Sequence, residues 1–206
     1  MRWILSLTLG TAMAAGTCSA AASQDRAHLE SLLARLSDAH ATRDASAELR
    51  QLALNNPDSR QYIAGRLPSL IAVAARGDLQ LWISSLQLTS DLKVVEAVPA
   101  LTEYLRYDNS FGPTSFGTHA RLYDDLVAKA LSDIGDPATQ PVAKLFEDGD
   151  AATRRRAAIV LGNIATPLAR QALLSQIQVE RADDLRAVMQ DQVTYIDRKA
   201  SPGAAR

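Results

Sequence analysis

Hydrophobic residues recur along most of the chain at spacings of three and four positions. Leu29, Leu32, Leu33 and Leu36 show this spacing, which places them on one face of an amphipathic helix. The same spacing recurs in three later sets: Val98, Leu101 and Leu105; Ala157, Ala158, Leu161 and Ile164; Ala169, Leu173 and Ile177. No segment shows convincing apolar–polar alternation between hairpin turns. The pattern therefore predicts an all-α protein.

Helix-start signals separate these amphipathic segments. Capping side chains stand directly before a proline or directly after a glycine, where they can accept a bond from an unpaired backbone N–H. These pairs are Asn56–Pro57, Asp136–Pro137, Thr166–Pro167, Gly77–Asp78 and Gly149–Asp150. The helices between them are about 10 to 18 residues long and the connections are short, which favours antiparallel neighbours.

One stretch of the chain repeats after 30 residues. Segment 130–138 ends one predicted helix and begins another, and segment 160–168 does the same. Leu131 corresponds to Leu161, and the cap–proline pairs correspond residue for residue. A fixed period of this length is typical of repeat architectures, in which stacked hairpins share a continuous core.

The residues that repeat resemble the HEAT repeat, and most closely its short bacterial form. Residues 156–164 (RAAIVLGNI) resemble a first helix, and residues 97–105 (AVPALTEYL) resemble a second helix. The resemblance extends over residues 78–179, whereas residues 25–75 lack the Leu-Gly-x-Ile signature. It implies an α–α superhelix, a solenoid of antiparallel helix pairs whose second helices line a concave, protein-binding surface.

The first 22 residues are typical of a cleaved secretory signal. Arg2 precedes a short apolar run, and Ala20–Ala22 fits a signal-peptidase site. Cleavage would remove Cys18, so the mature chain would lack cysteine and would suit an oxidising compartment. The alternative is a lipid anchor at Cys18, but Thr17 fits a lipidation motif poorly, so we expect none. The sequence thus predicts a periplasmic or secreted protein.

The rest of the chain is expected to form one domain. We predict a single HEAT-like domain over residues 23–197, closed by a polar last helix, and a flexible tail over residues 198–206. The last nine residues contain Ser201, Pro202 and Gly203, which are typical of a frayed end.

Composition excludes several classes of function. The chain has 206 residues, with 22 Lys and Arg against 23 Asp and Glu, so its formal net charge is -1. A nucleic-acid-binding protein would normally have a basic surplus. A single cysteine excludes a disulfide framework, and the three histidines lack the spacing of a helical metal site. We expect no catalytic residue, no metal, no cofactor and no membrane span.

Several charged or aromatic residues have both a functional and a structural interpretation. The basic run Arg154–Arg156 could bind an acidic partner, but its neighbours Glu147, Asp148 and Asp150 favour a balanced helix start. The acidic pairs are expected to be solvated, and Trp82 is expected to lie in the core. These acidic pairs are Asp124–Asp125 and Asp183–Asp184.

The connection over residues 107–117 is unusually long for a compact helical array. It holds Phe111 and Phe116, two of the three phenylalanines of the chain. Long loops within compact domains are often functional. The two phenylalanines could therefore bind a partner, or they could fold back and fill a gap between hairpins.

The sequence predicts an exported, non-catalytic scaffold or adaptor that binds another protein through its concave face and the 107–117 loop. The candidate partner-binding residues are Glu103, Arg106, Tyr107, Phe111, Phe116, Lys144, Glu147, Arg170 and Gln171. One alternative is a small-ligand-binding or lyase-like HEAT protein, which the absence of a mature cysteine disfavours. Another is an envelope inhibitor or immunity protein against a toxin.

Overall fold

The computed structural model describes the backbone of residues 14–106 and 125–201, and side chains within these ranges from residue 24 onward. The described residues are helical and contain no strand, so the prediction of an all-α protein is confirmed. The helices are α1 (Ala14–Ala34), α2 (Thr42–Asn55), α3 (Pro57–Ala74), α4 (Leu79–Leu92), α5 (Val98–Arg106), α6 (Leu126–Ile134), α7 (Asp136–Ala143), α8 (Leu145–Asp148), α9 (Ala151–Ile164), α10 (Pro167–Val179) and α11 (Asp183–Ala200). Short 3₁₀ turns occupy Arg35–Ser37 and Val95–Ala97.

The predicted apolar faces lie in the core. All four leucines of the first amphipathic segment are buried, and the later sets are buried except Ile177, which is partly exposed. Trp82 is also buried, as expected, and its ring meets that of Tyr104 edge to face at 5.1 Å between centroids. Burial of these faces supplies most of the stabilisation, because helices of this length are marginal alone.

Four of the five predicted caps are confirmed. The side chains of Asn56, Asp78, Asp150 and Thr166 each accept a hydrogen bond from a backbone N–H in the first turn of the following helix. The fifth prediction is wrong, since α7 begins at Asp136 itself and no side chain caps it. Asp136 instead accepts a hydrogen bond from the hydroxyl of Thr166 at 2.9 Å.

The helices fall into two series according to which neighbours they contact. In the first series, α2, α4, α6, α9 and α11 pack side by side in that order. In the second series, α3, α5, α7 and α10 do the same, and α1 packs against α2 and α3. Contacts between the two series enclose one continuous core.

The last helix, α11, closes the first series. Leu185, Met189, Val193 and Ile196 bury its apolar face against α9 and α10. It continues to Ala200, so the first three residues of the predicted tail extend this amphipathic helix. Residues 202–206 lie outside the described part of the chain.

A close contact between α9 and α11 depends on Gly162 of α9. A Cβ atom built on Gly162 would lie 2.0 Å from Oε1 and 2.9 Å from Cβ of Gln192, on α11. Because the Cβ atom of Gln192 moves only with the helix backbone, even one methyl group at position 162 would push α11 outward. The absence of a side chain at Gly162 therefore allows α9 and α11 to pack closely.

Gly162→Ala is expected to lower the free energy of unfolding by about 1–3 kcal/mol through overpacking, despite the better helix propensity of alanine. Gly65, in the interior of α3, provides a matched control because a Cβ there would meet nothing within 4 Å. Gly65→Ala should raise the free energy of unfolding by about 0.5–1 kcal/mol. Urea denaturation followed by circular dichroism measures both changes, and a stabilising Gly162→Ala would contradict the close packing.

Candidate protein-binding surface

The candidate residues of α5 lie at its C-terminal end, where it meets α8. Nη1 of Arg106 lies 3.0 Å from Oδ1 of Asp148, and Nε of Arg106 lies 3.9 Å from Oε1 of Glu103. The carboxyl groups of Glu103 and Asp148 are mostly exposed, whereas the Arg106 side chain is 29% exposed. The arginine therefore links α5 to α8 and holds two acidic groups at the surface.

Lys144 and Glu147 lie nearby on the α7–α8 segment. Lys144 joins the two helices and Glu147 belongs to α8, and both side chains are exposed. Neither makes an ion pair with another described residue. Their charges are therefore available to a partner.

The two candidates on α10 differ in their surroundings. Gln171 is exposed, and its carboxamide makes no hydrogen bond with the described residues. Arg170 instead donates two hydrogen bonds to Asp197 of α11, at 2.7 and 3.0 Å. Hydrogen bonding and the opposite charge raise the pKa of Arg170 and lower that of Asp197. Arg170 thus fastens α11, a role that the sequence alone did not indicate.

Several of these side chains lie on α7 and α10, which are adjacent helices. The bond between Thr166 and Asp136 joins the starts of the two helices, so equivalent turns lie side by side. Exposed polar side chains then follow both helices; we refer to this surface as the α7–α10 face. Its members are Gln140, Lys144, Glu147, Gln171 and Gln178. Leu174 and Val179 are exposed apolar residues on the same stretch of α10.

The remaining candidates, Tyr107, Phe111 and Phe116, lie outside the described residues. The two described ends that border them are fixed to neighbouring positions of α9. The Thr153 hydroxyl donates a hydrogen bond to the carbonyl oxygen of Arg106 at 3.3 Å, and Arg156 binds Asp125. Thr153 and Arg156 are three residues apart, so their side chains are neighbours on the helix surface.

Every arginine of the basic run has an acidic partner. Arg154 binds Glu180, Arg155 binds Asp184 and Arg156 binds Asp125, at distances of 2.6 to 2.9 Å. The structural interpretation of the run is therefore correct, but the partners come from distant segments and not from the acidic residues that precede the run. The run is not an open anion-binding patch.

Asp125 corrects one expectation of the sequence. It was expected to be solvated, yet its side chain and that of Arg156 are each only 10% exposed. One carboxylate oxygen accepts the Ala128 N–H and thereby caps α6, and the other accepts bonds from Arg156. Asp125 is buried because its pairing with a guanidinium offsets the cost of desolvation. Asp183 and Asp184 are exposed, as expected.

Glu180, in the turn between α10 and α11, is buried although the sequence suggested a polar surface there. Its carboxylate accepts hydrogen bonds from Arg154, from Gln176 and from the backbone N–H groups of Arg181 and Ala182. Burial alone would raise the pKa of Glu180, but these bonds and the charge of Arg154 lower it overall. The ionised form therefore stabilises the turn.

The two described histidines, His28 and His40, do not belong to a metal-binding cluster. Nε2 of His28 lies 2.9 Å from Oε1 of Glu48, and both side chains are about half exposed. His40 is exposed and His119 lies outside the described residues. Within residues 24–106 and 125–201, no group of three or more His, Cys, Asp or Glu side chains is arranged to hold a metal ion.

Comparison with known proteins adds no relative. No protein-family model matches this sequence, and no curated protein matches it significantly. None of the described helices combines the length and apolar character needed to cross a membrane. The described residues thus define the class as an all-helical protein.

Arg156→Met is expected to lower the free energy of unfolding by about 3–5 kcal/mol, because it leaves the Asp125 carboxylate buried without its partner. Arg155→Met is the matched control, since Asp184 is 72% exposed. Loss of that pair should cost at most about 1 kcal/mol. Chemical denaturation at neutral pH measures both variants, and equal losses would contradict a special role for the buried pair.

Stability is expected to fall with acid as Glu180 becomes protonated. Its pKa is lowered on folding, so its contribution is fully present above the unfolded-state pKa and is lost as the pH falls through the folded value. Glu180→Gln should lower the melting temperature at pH 7 and flatten its decrease below about pH 5. The exposed residue Asp183 supplies the control variant Asp183→Asn. An unchanged acid profile in Glu180→Gln would refute this linkage.

Proposed function

We propose that this chain is an exported, non-catalytic, HEAT-like α-solenoid that binds another protein. Binding occurs through the exposed side of the second helix series, centred on the α7–α10 face, together with the 107–117 segment. The observation that carries the proposal is a row of exposed polar side chains on α7, α8 and α10 that make no ion pair with the described residues.

The repeat architecture is supported by a helix end that recurs after 30 residues and by a contact between the two helix starts that follow. Gly135 and Ala165 both end a helix of the first series and both have positive φ, 84° and 56°. The residues that follow them, Asp136 and Thr166, are hydrogen-bonded to each other across the two hairpins. Equivalent positions of successive repeats should meet in this way when hairpins stack in register.

The choice of the second series is supported by where the ion pairs lie. Neighbouring helices of the first series are bridged by charged side chains at each junction. The bridges are Arg50–Asp91, Lys129–Asp133 with Ser90, Arg156–Asp125 and Arg155–Asp184. Side chains that already form these ion pairs are less able to bind a partner. Lys144 and Glu147 make no ion pair with a described residue and can bind one.

The position of the described ends around the 107–117 segment supports its inclusion. Arg106 lies beside Asp148 of α8, so the segment begins next to the charged end of the α7–α10 face. Aromatic side chains frequently anchor protein interfaces. Phe111 and Phe116 would supply such anchors beside a rim of mixed charge.

Reversing two charges on the α7–α10 face tests the proposal. The double variant Lys144→Glu, Glu147→Lys keeps the net charge and should weaken binding of the partner about tenfold or more, by placing like charges opposite one another. The partner is first captured from envelope extracts and identified by mass spectrometry. Its affinity for each purified variant is then measured by calorimetry.

The matched control is Arg43→Glu, Asp44→Lys on α2, where both side chains are exposed and unpaired among the described residues. This variant should bind like the original chain. Deleting residues 109–116 should also weaken binding. Equal affinities for the α7–α8 variant and the α2 variant would refute the assignment of the surface.

A further inference from the structure

A second polar site lies where α1 meets the start of α3. A groove of about 470 Å³ lies there, lined by Asp25, Arg26, Leu29, Asn56, Asp58, Ser59, Gln61 and Tyr62. This volume is within the range of small-molecule sites, about 300–1,000 Å³. The groove involves none of the residues of the α7–α10 face.

Some of the side chains that line the groove interact with other residues of the protein. The Tyr62 hydroxyl donates a hydrogen bond to Glu30, and the Arg26 guanidinium lies 5.1 Å from the centre of the Tyr62 ring. The side-chain oxygen of Asn56, Oδ1, accepts hydrogen bonds from the backbone N–H groups of Asp58 and Ser59. These contacts fix the walls of the groove and hold the guanidinium of Arg26 over an aromatic face.

The charged groups of the groove are unpaired. Asp25 and Asp58 are exposed, and neither carboxylate makes an ion pair with a described residue. Arg26 likewise makes no ion pair, and its contact within the described structure is with the Tyr62 ring. Acidic and basic groups thus line the same groove without neutralising each other.

The Ser59 hydroxyl is stronger evidence for a ligand than the exposed charges are. The residue is only 7% exposed, yet its hydroxyl makes no hydrogen bond with a described residue. The hydroxyl oxygen is not fully sealed from solvent, and Ser59 lines the groove. A ligand atom in the groove can therefore form a hydrogen bond with this hydroxyl, which has no partner among the described residues.

We infer that this groove binds a zwitterionic small molecule, a free amino acid or a short peptide. The ligand ammonium would bind Asp25 and Asp58, and its carboxylate would bind Arg26 and the Ser59 hydroxyl beside the start of α3. A ligand with only a positive charge would be repelled by Arg26. A ligand with only a negative charge would be repelled by the carboxylates of Asp25 and Asp58. Leu29 and the Tyr62 ring provide apolar contact for a side chain.

The test uses the dipeptide glycyl-leucine, with leucinamide and N-acetyl-leucine as probes that each lack one charge. Each is titrated into the ¹⁵N-labelled full chain and followed by two-dimensional NMR. The dipeptide should shift the amide signals of residues 25–29 and 56–62, and each single-charge probe should bind about tenfold more weakly. Equal affinities for the three probes, or no shifts in these two ranges, would overturn the inference.

Variants locate the site. Asp58→Asn and Ser59→Ala should each weaken dipeptide binding, by about tenfold for the charged group, while the control Asp44→Asn on α2 leaves it unchanged. Melting temperatures show whether each variant is folded. Because Asp58 is exposed, Asp58→Asn is expected to fold normally and tests the site even if Ser59→Ala is unstable. Unaltered binding in Asp58→Asn would place the ligand elsewhere. Neither variant changes a residue of the α7–α10 face. Loss of dipeptide binding would therefore leave the proposed protein binding unaffected, and each proposal can be refuted without the other.

Discussion

The arrangement of the helices depends on the buried ion pair between Arg156 and Asp125. A guanidinium and a carboxylate that are almost removed from water are stable only when both partners are present. This pair fixes the start of α6 to the first turns of α9. Arg154 and Arg155, on the same turns of α9, bind Glu180 in the turn before α11 and Asp184 at the start of α11. Three consecutive side chains thus connect elements that are far apart in sequence.

Those arginines also explain an apparent conflict in the sequence. Positive charge near the start of a helix opposes the helix dipole, so a basic run there should be unfavourable. Each arginine is instead neutralised by an acidic group from another segment, and Asp150 occupies the cap position itself. The local cost is therefore offset by tertiary contacts.

Features that depend on local chemistry could be predicted from the sequence, and those that depend on tertiary contacts could not. The apolar faces and the caps at Asn56 and Thr166 follow from spacing and from neighbouring residues. The burial of Asp125 and Glu180 requires arginines about thirty residues away, which no local pattern indicates. Arg170 shows the same limit, since its partner Asp197 lies on another helix. The signal available in the sequence was a basic run with acidic residues about thirty positions before and after it.

The candidate surfaces lie in different parts of the structure. The α7–α10 face presents side chains of both charges on adjacent helices. The groove between α1 and α3 is small and partly enclosed, with a buried hydroxyl. Each helix of the two series contacts mainly its neighbours, so the face and the groove lie on different helices of one framework.

The two contacts that fix Arg106 and Asp125 to neighbouring residues of α9 have a consequence for how this chain could diversify. Thr153 and Arg156 hold the end of α5 and the start of α6 directly. A connection between two ends fixed in this way can change in length at a small entropic cost, since each doubling of a flexible loop costs only about 0.6 kcal/mol. New binding specificities could arise there by insertion, and the same point would suit a circular permutation or an inserted reporter domain.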